Sequence, residues 1–312
     1  MCEQRIDSRS ASATSAATSP QHAGRRSRMH AWLIAHPWHP RVAPWLAYLA
    51  LMAVTQLGRD HLAGWLLIPL YTLQCGVVAW LLWRWRRHIP ELNWTFHWSA
   101  LPVGLGVCAA WIALGHASVH LWPSLAGDAA AGDPEGFAKY FPADTYGRAA
   151  PVLIWTALGL RLLGMSIVVP MFEEVFNRSL LLRSLSHPRK TAIGVVNVLQ
   201  DLPLVDDLFG ETDIARRAGR HARVLGDQFE ATPLGRLTVF GVIASTFVFI
   251  FVHAPSDYAG SAVCGVAYCL LVGYTNNSRR KLGLGPVIWA HAITNAALWA
   301  WVVATDDWLF MS

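Results

Sequence analysis

Charge is what this sequence has least of. Only 14% of its 312 residues are Asp, Glu, Lys or Arg, against ~25% in ordinary soluble domains. A chain so poor in charge and so apolar is neither an ordinary soluble enzyme nor a disordered protein. Cysteine is scarce as well. Cys2, Cys75, Cys108, Cys264 and Cys269 contain no CxxC pair, and four of the five sit in apolar runs. A disulfide framework or a zinc site does not follow, and these thiols read as small buried apolar residues. Repeats of ~20–50 residues are missing. The net charge of +5 suits basic loops facing lipid headgroups rather than a polyanion site, so no nucleic-acid partner is expected.

What is present is apolar sequence and tryptophan: 54% hydrophobic residues and 16 Trp. The expected fold is all-α, a polytopic transmembrane helical bundle of about 7–8 spans. Seven segments are close to the ~20 residues that cross a bilayer: Val42–Gly58, Leu62–Trp83, Trp98–Leu121, Ala149–Phe172, Leu237–Ala254, Tyr258–Tyr274 and Leu284–Thr305. Trp recurs at their ends, as interfacial belts do. An eighth, short or re-entrant, is GVVNVLQDLPLV.

Three regions result. Residues 1–30 form a Ser/Ala/Arg tail, read as disordered. Its Arg/Ser bias also fits a transit peptide, Arg25-Arg26 is similar to a twin-Arg signal, and Met29 is a second candidate start. His36 and His39 in HPWHP read as interfacial histidines beside Trp rather than metal ligands. Residues 31–148 carry the N-terminal spans. Residues 149–312 form the functional core, with a polar excursion at about 203–236 containing Asp206, Asp207, Glu211, Arg216, Arg217, Arg220 and Arg223. The stretches RWRRH, RSLSHPRK and NNSRRK are basic and 122–148 is acidic. The positive-inside rule then puts the N-terminus in the cytoplasm and, in a bacterium, the chain in the inner membrane.

Ionisable groups within spans need a reason, because a charge at the bilayer centre costs at least ~2.5–3.5 kcal/mol on the insertion scale. The fourth segment runs on as VVPMFEEVFNRSLLL, with Glu173, Glu174 and Arg178 in apolar surroundings. Glu174 and Arg178 are i, i+4 and can pair on one helix face. Glu173 points about 100° away and is free for another partner. His291 and Asn295 share the i, i+4 interval, as do Phe249 and His253. A buried carboxylate without a cation is a general base, an imidazole can share that task, and a His–Asn face can donate to an oxyanion. Arg161 lies mid-span in TALGLRLLG, where it is expected to line the cavity or a polar crevice beside it; snorkelling to an interface is the alternative.

Taken in order, these residues give the chain its resemblance to a family. Glu173-Glu174-Val175-Phe176-Asn177-Arg178, Phe249-Ile250-Phe251-Val252-His253 and His291-Ala292-Ile293-Thr294-Asn295 follow the patterns EExxxR, FxxxH and HxxxN of the CAAX prenyl endopeptidase / bacteriocin-processing (CPBP, Abi) family of membrane proteases. Within it the run VVPxxEE is similar to the exosortase-associated, CAAX-protease-related proteins. The likeness covers about half the chain, residues 150–305. It departs at Asn177, where an aromatic residue is usual, and at Ser179, where Gly is common.

The resemblance implies an intramembrane glutamate-dependent endopeptidase, its helical bundle enclosing a membrane-embedded catalytic cavity. By motif, Glu173 and His253 would activate water, His291 and Asn295 would form the oxyanion site, and Glu174, Arg178 and Phe249 would support them. No metal and no cofactor is implied, and the partners are the bilayer and a membrane-associated protein or peptide substrate. Two other readings use the same residues: a non-catalytic scaffold or chaperone of this fold, and a proton-coupled transporter. One tension concerns depth. His291 lies ~10 Å from a basic loop at 1.5 Å per residue, whereas His253 falls near the far end of its span, so the two meet only if helices are tilted, short or displaced.

Overall fold

The computed structural model describes Leu33, residues 36–58, 62–125, 141–200, 212–219 and 223–310. The tail 1–30, Asp128, Asp133 and Glu135, and the excursion residues Asp206, Asp207, Glu211 and Arg220 lie outside the described residues. No strand occurs among the described residues.

The principal helices are α1 (His39–Gly58), α2 (Leu67–Trp85), α3 (Ala100–Leu121), α4 (Ala143–Ser184), α5 (Pro188–Gln200), α6 (Asp213–Ala218), α7 (Val224–Ala231), α8 (Val239–Ile250), α9 (Tyr258–Thr275) and α10 (Gly285–Thr305). Five of them are long and apolar enough to cross a membrane: α2, α3, α4, α9 and α10, with α2 and α9 extended by adjoining 3-10 turns. Of the expected seven or eight spans, five are therefore found among the described residues. Arg41 and an internal Pro44 dilute α1, and it is not among the five.

The segment Leu237–Ala254, expected to span, is instead a helix of 12 residues, about 18 Å long at 1.5 Å per residue. Its start is fixed by Thr238, whose hydroxyl accepts the Gly241 N–H at 3.0 Å. Its end is fixed by Pro255. The residue before proline avoids the helical region, and Ala254 is extended at φ −64°, ψ 150°. The helix stops short of His253, whose N–H closes a tight turn on the Ile250 carbonyl at 3.0 Å.

α4 differs in the other direction. The expected span ended at Phe172, but the helix continues to Ser184, 42 residues in all. Gly147, at φ +52°, breaks its first turns, a conformation that suits glycine. Within α4 two π-helical stretches, Gly164–Val168 and Val175–Leu181, bracket Val169–Glu174. The first has a covalent cause: Pro170 has no N–H to offer Ser166, and a widened turn accommodates the missing bond. The stretch 194–205, expected as a short or re-entrant helix, is helical through Gln200, as the end of α5; 201–205 lie outside the described residues.

α10 packs on α3, α9 and α4, and α8 on α9 and α4. Close approach is made by small residues, as in membrane bundles generally: a Cβ on Gly104 of α3 would lie 2.6 Å from the Ala290 carbonyl of α10. The core joins Val78, Leu82, Val107, Phe172, Val175, Phe249, Tyr268, Val272, Ile288 and Leu298. The outer surface is apolar too. α8 turns Val239, Ile243, Phe247 and Phe251, at intervals of four, outward, which is the pattern of a helix wetted by lipid.

Candidate functional site

Glu173 and Glu174 lie at the end of the short α-helical piece between the two π stretches. His291 comes from the first half of α10. Its Nδ1 is 2.8 Å from Glu174 Oε1; a carboxylate only accepts, so Nδ1 carries the hydrogen. Nε2 then faces Glu173 Oε2 at 3.9 Å, longer than a hydrogen bond and within reach of a shared water. The two carboxylates, expected to serve different partners, thus flank the same imidazole. They are unequal in other ways. Glu174 has no exposed side-chain area and faces Arg178 Nε from Oε2 at 3.2 Å, whereas Glu173 keeps 13% exposure. Glu173 Oε2 has no hydrogen-bond partner among the described residues.

Arg178 is buried on all sides. Beyond Glu174 it faces the Gly265 carbonyl at 3.5 Å and stands over the rings of Phe249 at 4.9 Å and Tyr268 at 5.4 Å. Such ring faces attract a desolvated guanidinium. Phe249 carries the geometry on to His253, with ring centroids 4.5 Å apart. The Phe249 carbonyl accepts from His253 Nδ1 at 2.8 Å, which leaves Nε2 as the basic nitrogen. The other side of His253 meets Trp111 at 5.4 Å. Because α8 ends at Ile250, His253 lies in the turn that follows rather than within a full span, and it interacts electrostatically with His291 and Arg178.

Asn295 is engaged differently from the oxyanion role expected of it. Its Nδ2 donates to the Met165 carbonyl at 2.6 Å, in the first π stretch, where carbonyls leave the regular ladder. Asn177 uses the second π stretch, donating from Nδ2 to the Glu173 carbonyl at 3.0 Å. Arg161 is half-buried. It interacts electrostatically with the hydroxyls of Tyr48 and Tyr71, and Glu173 with Tyr48. Tyr71 also donates to the Arg161 carbonyl at 3.4 Å.

Several participants escaped sequence reasoning. Tyr268 donates to Thr294 at 2.7 Å, and Thr294 donates to the Gly104 carbonyl at 2.8 Å. Trp111 is held by Asp257, Nε1 to Oδ1 at 2.9 Å. A second polar centre lies beside the first: Arg41 grips Glu91 through Nε at 2.8 Å and Nη2 at 2.9 Å, and also reaches Ser179 at 2.9 Å. Ser179 donates in turn to Glu91. The serine that replaces the usual glycine after the motif arginine thus anchors α4 to α1.

Among the described residues no group of three or more His, Cys, Asp or Glu side chains is arranged to hold a metal ion. The open apolar groove on α2, about 710 Å³ along Ile68, Thr72, Gly76 and Trp80, is made by α2 residues other than Tyr71 and Cys75, which pack on Gly164 of α4. No family model, curated protein or solved structure matches the chain.

Proposed function

We propose that the chain is an intramembrane glutamate-dependent endopeptidase that hydrolyses a peptide bond in a membrane-proximal protein or peptide. The observation that carries this reading is the asymmetry of the carboxylate pair. Glu174 is fully buried and held by Arg178 and His291, while Glu173 is partly exposed and sets Oε2 3.9 Å from Nε2 of the same imidazole.

A water placed between Glu173 Oε2 and the His291 and His253 nitrogens would lose its proton to Glu173 as its oxygen adds to the scissile carbonyl. His291, held at Nδ1 by Glu174, offers Nε2–H to the oxyanion when protonated. Asn295 Nδ2 carries two hydrogens, of which Met165 takes one. The proton held by Glu173 passes to the leaving amine as the tetrahedral adduct collapses. Arg161 and the Tyr48 and Tyr71 hydroxyls supply a polar wall next to Glu173. Exported or sorted proteins, anchored in the same bilayer, are the substrate class this location favours.

The test is to map protein termini in membranes of cells lacking the gene and complemented with wild type, Glu173→Gln or Glu174→Gln. Wild type should restore a set of new N-termini that Glu173→Gln, though folded and inserted, does not. Loss only with Glu174→Gln would move the base to Glu174. Identical termini with and without the gene would favour the non-catalytic scaffold.

A further inference from the structure

α5 is built the reverse way for a helix bordered by water. Its buried positions are Thr191, Gly194, Asn197 and Gln200. Its exposed ones include Ala192, Val195, Val198 and Leu199. A helix in water turns its apolar stripe inward, so this arrangement is stable only where the surroundings are themselves apolar.

The polar face is committed inward. Asn197 Nδ2 donates to the carbonyls of Ala218 and Gly219, closing the end of α6. Gly194 lies against Leu225 of α7, where a Cβ would overlap that side chain. Gln228 of α7 accepts the His187 N–H at 3.0 Å, just before α5 begins. Rotating α5 to bury its valines would break all of these contacts.

Among the described residues the charged rim is mainly basic. Arg189, Lys190, Arg216 and Arg217 are exposed, against Asp227, while Arg223 and Glu230 pair at 3.2 Å. α5 also starts four residues after α4 ends, so it is tethered to the lipid-facing bundle. Three aliphatic side chains without an aromatic anchor, ringed by cations, fit acyl chains and phosphates better than the aromatic-rich core of a protein interface.

We propose that α5 lies in the interfacial layer of the bilayer, with Val195, Val198 and Leu199 among acyl chains and Arg189, Lys190 and Arg217 on the phosphates of anionic lipids. The region read from its charges as an aqueous excursion then begins within the membrane surface. The inference is independent of the proteolytic reading.

The experiment uses the full chain in nanodiscs of phosphatidylcholine, with or without phosphatidylglycerol. Nitroxides are placed at Val198→Cys and Arg189→Cys, with the unsubstituted protein, treated identically, giving the background from native cysteines. Val195→Cys replaces Val198→Cys if the latter does not elute as folded protein. The label at 198 should collide more often with dissolved oxygen than with a water-soluble nickel chelate, and the label at 189 the reverse. Phosphatidylglycerol should raise the oxygen-to-nickel ratio at 198 several-fold, a shift lost in Arg189→Gln/Lys190→Gln. A label at 198 open to nickel in both lipids, including one shielded only in native membranes by a crosslinkable protein, would overturn the proposal. An equal ratio in both lipids would overturn the anionic-phosphate assignment.

Discussion

Arg178 is a cation with no exposure to solvent, and each of its neighbours acts on that charge: the Glu174 carboxylate, the Gly265 carbonyl and the faces of Phe249 and Tyr268. Removing one member of a buried pair leaves the other uncompensated and costs about 3–5 kcal/mol. Glu174→Gln should therefore unfold much earlier than wild type in a thermal or SDS titration, while Glu173→Gln stays near wild type. The double variant Glu174→Gln/Arg178→Met should recover most of the loss. This separates a supporting carboxylate from a reactive one without any substrate. The residues of this centre were legible in the sequence because charge is rare in its apolar runs and the i, i+4 interval survives in the helix. The Arg41–Glu91–Ser179 centre was not legible. Its two charges stand at segment edges, where interfacial charge is ordinary, and its partners are 50 and 138 residues apart.

At the scale of single elements, the unusual geometry of α4 determines what Asn295 can do. Pro170 opens the first π stretch, and the opened turn supplies the Met165 carbonyl that Asn295 grips. Restoring an N–H with Pro170→Ala should let the ladder close and withdraw that acceptor. Thermal stability should hold or rise, since an interior proline costs a helix ~3 kcal/mol. Cleavage should fall about tenfold to hundredfold, the scale of a small misplacement of reacting groups. Melting temperature and terminal mapping measured side by side check both halves. Gly104→Val tests a packing contact instead: a Cβ there meets the Ala290 carbonyl, and overpacking of this kind costs ~1–3 kcal/mol, read as a lower unfolding midpoint. The proline could be read in the sequence, but not its effect, because a π turn has no residue pattern of its own. The early end of α8 is a similar case. Hydropathy continues through Val252, and only Pro255 marks the residue before it as extended.

The molecule is apolar over much of its described surface, and its largely apolar core encloses a few buried polar centres. Its donor set also bears on metal use. Glu174 is taken by Arg178 and by His291 Nδ1, and Glu173, His253 and His291 are not arranged among the described residues as the three-ligand set that catalytic zinc usually takes. Activity of the purified protein should accordingly persist after prolonged 1,10-phenanthroline treatment. Stoichiometric zinc, with activity lost on its removal and regained on its return, would overturn that expectation.

The brevity of α8 has a consequence for the lipid itself. Its outward stripe of Val239, Ile243, Phe247 and Phe251 offers acyl chains a wall of about 18 Å, whereas the hydrocarbon core elsewhere is ~30 Å thick. Hydrophobic mismatch of this size is relieved by thinning of the adjoining bilayer, at fractions of a kcal/mol per Å. A bilayer bordering this wall is therefore expected to thin beside His253, and longer-chain lipids, by deepening the mismatch, to work against that local thinning.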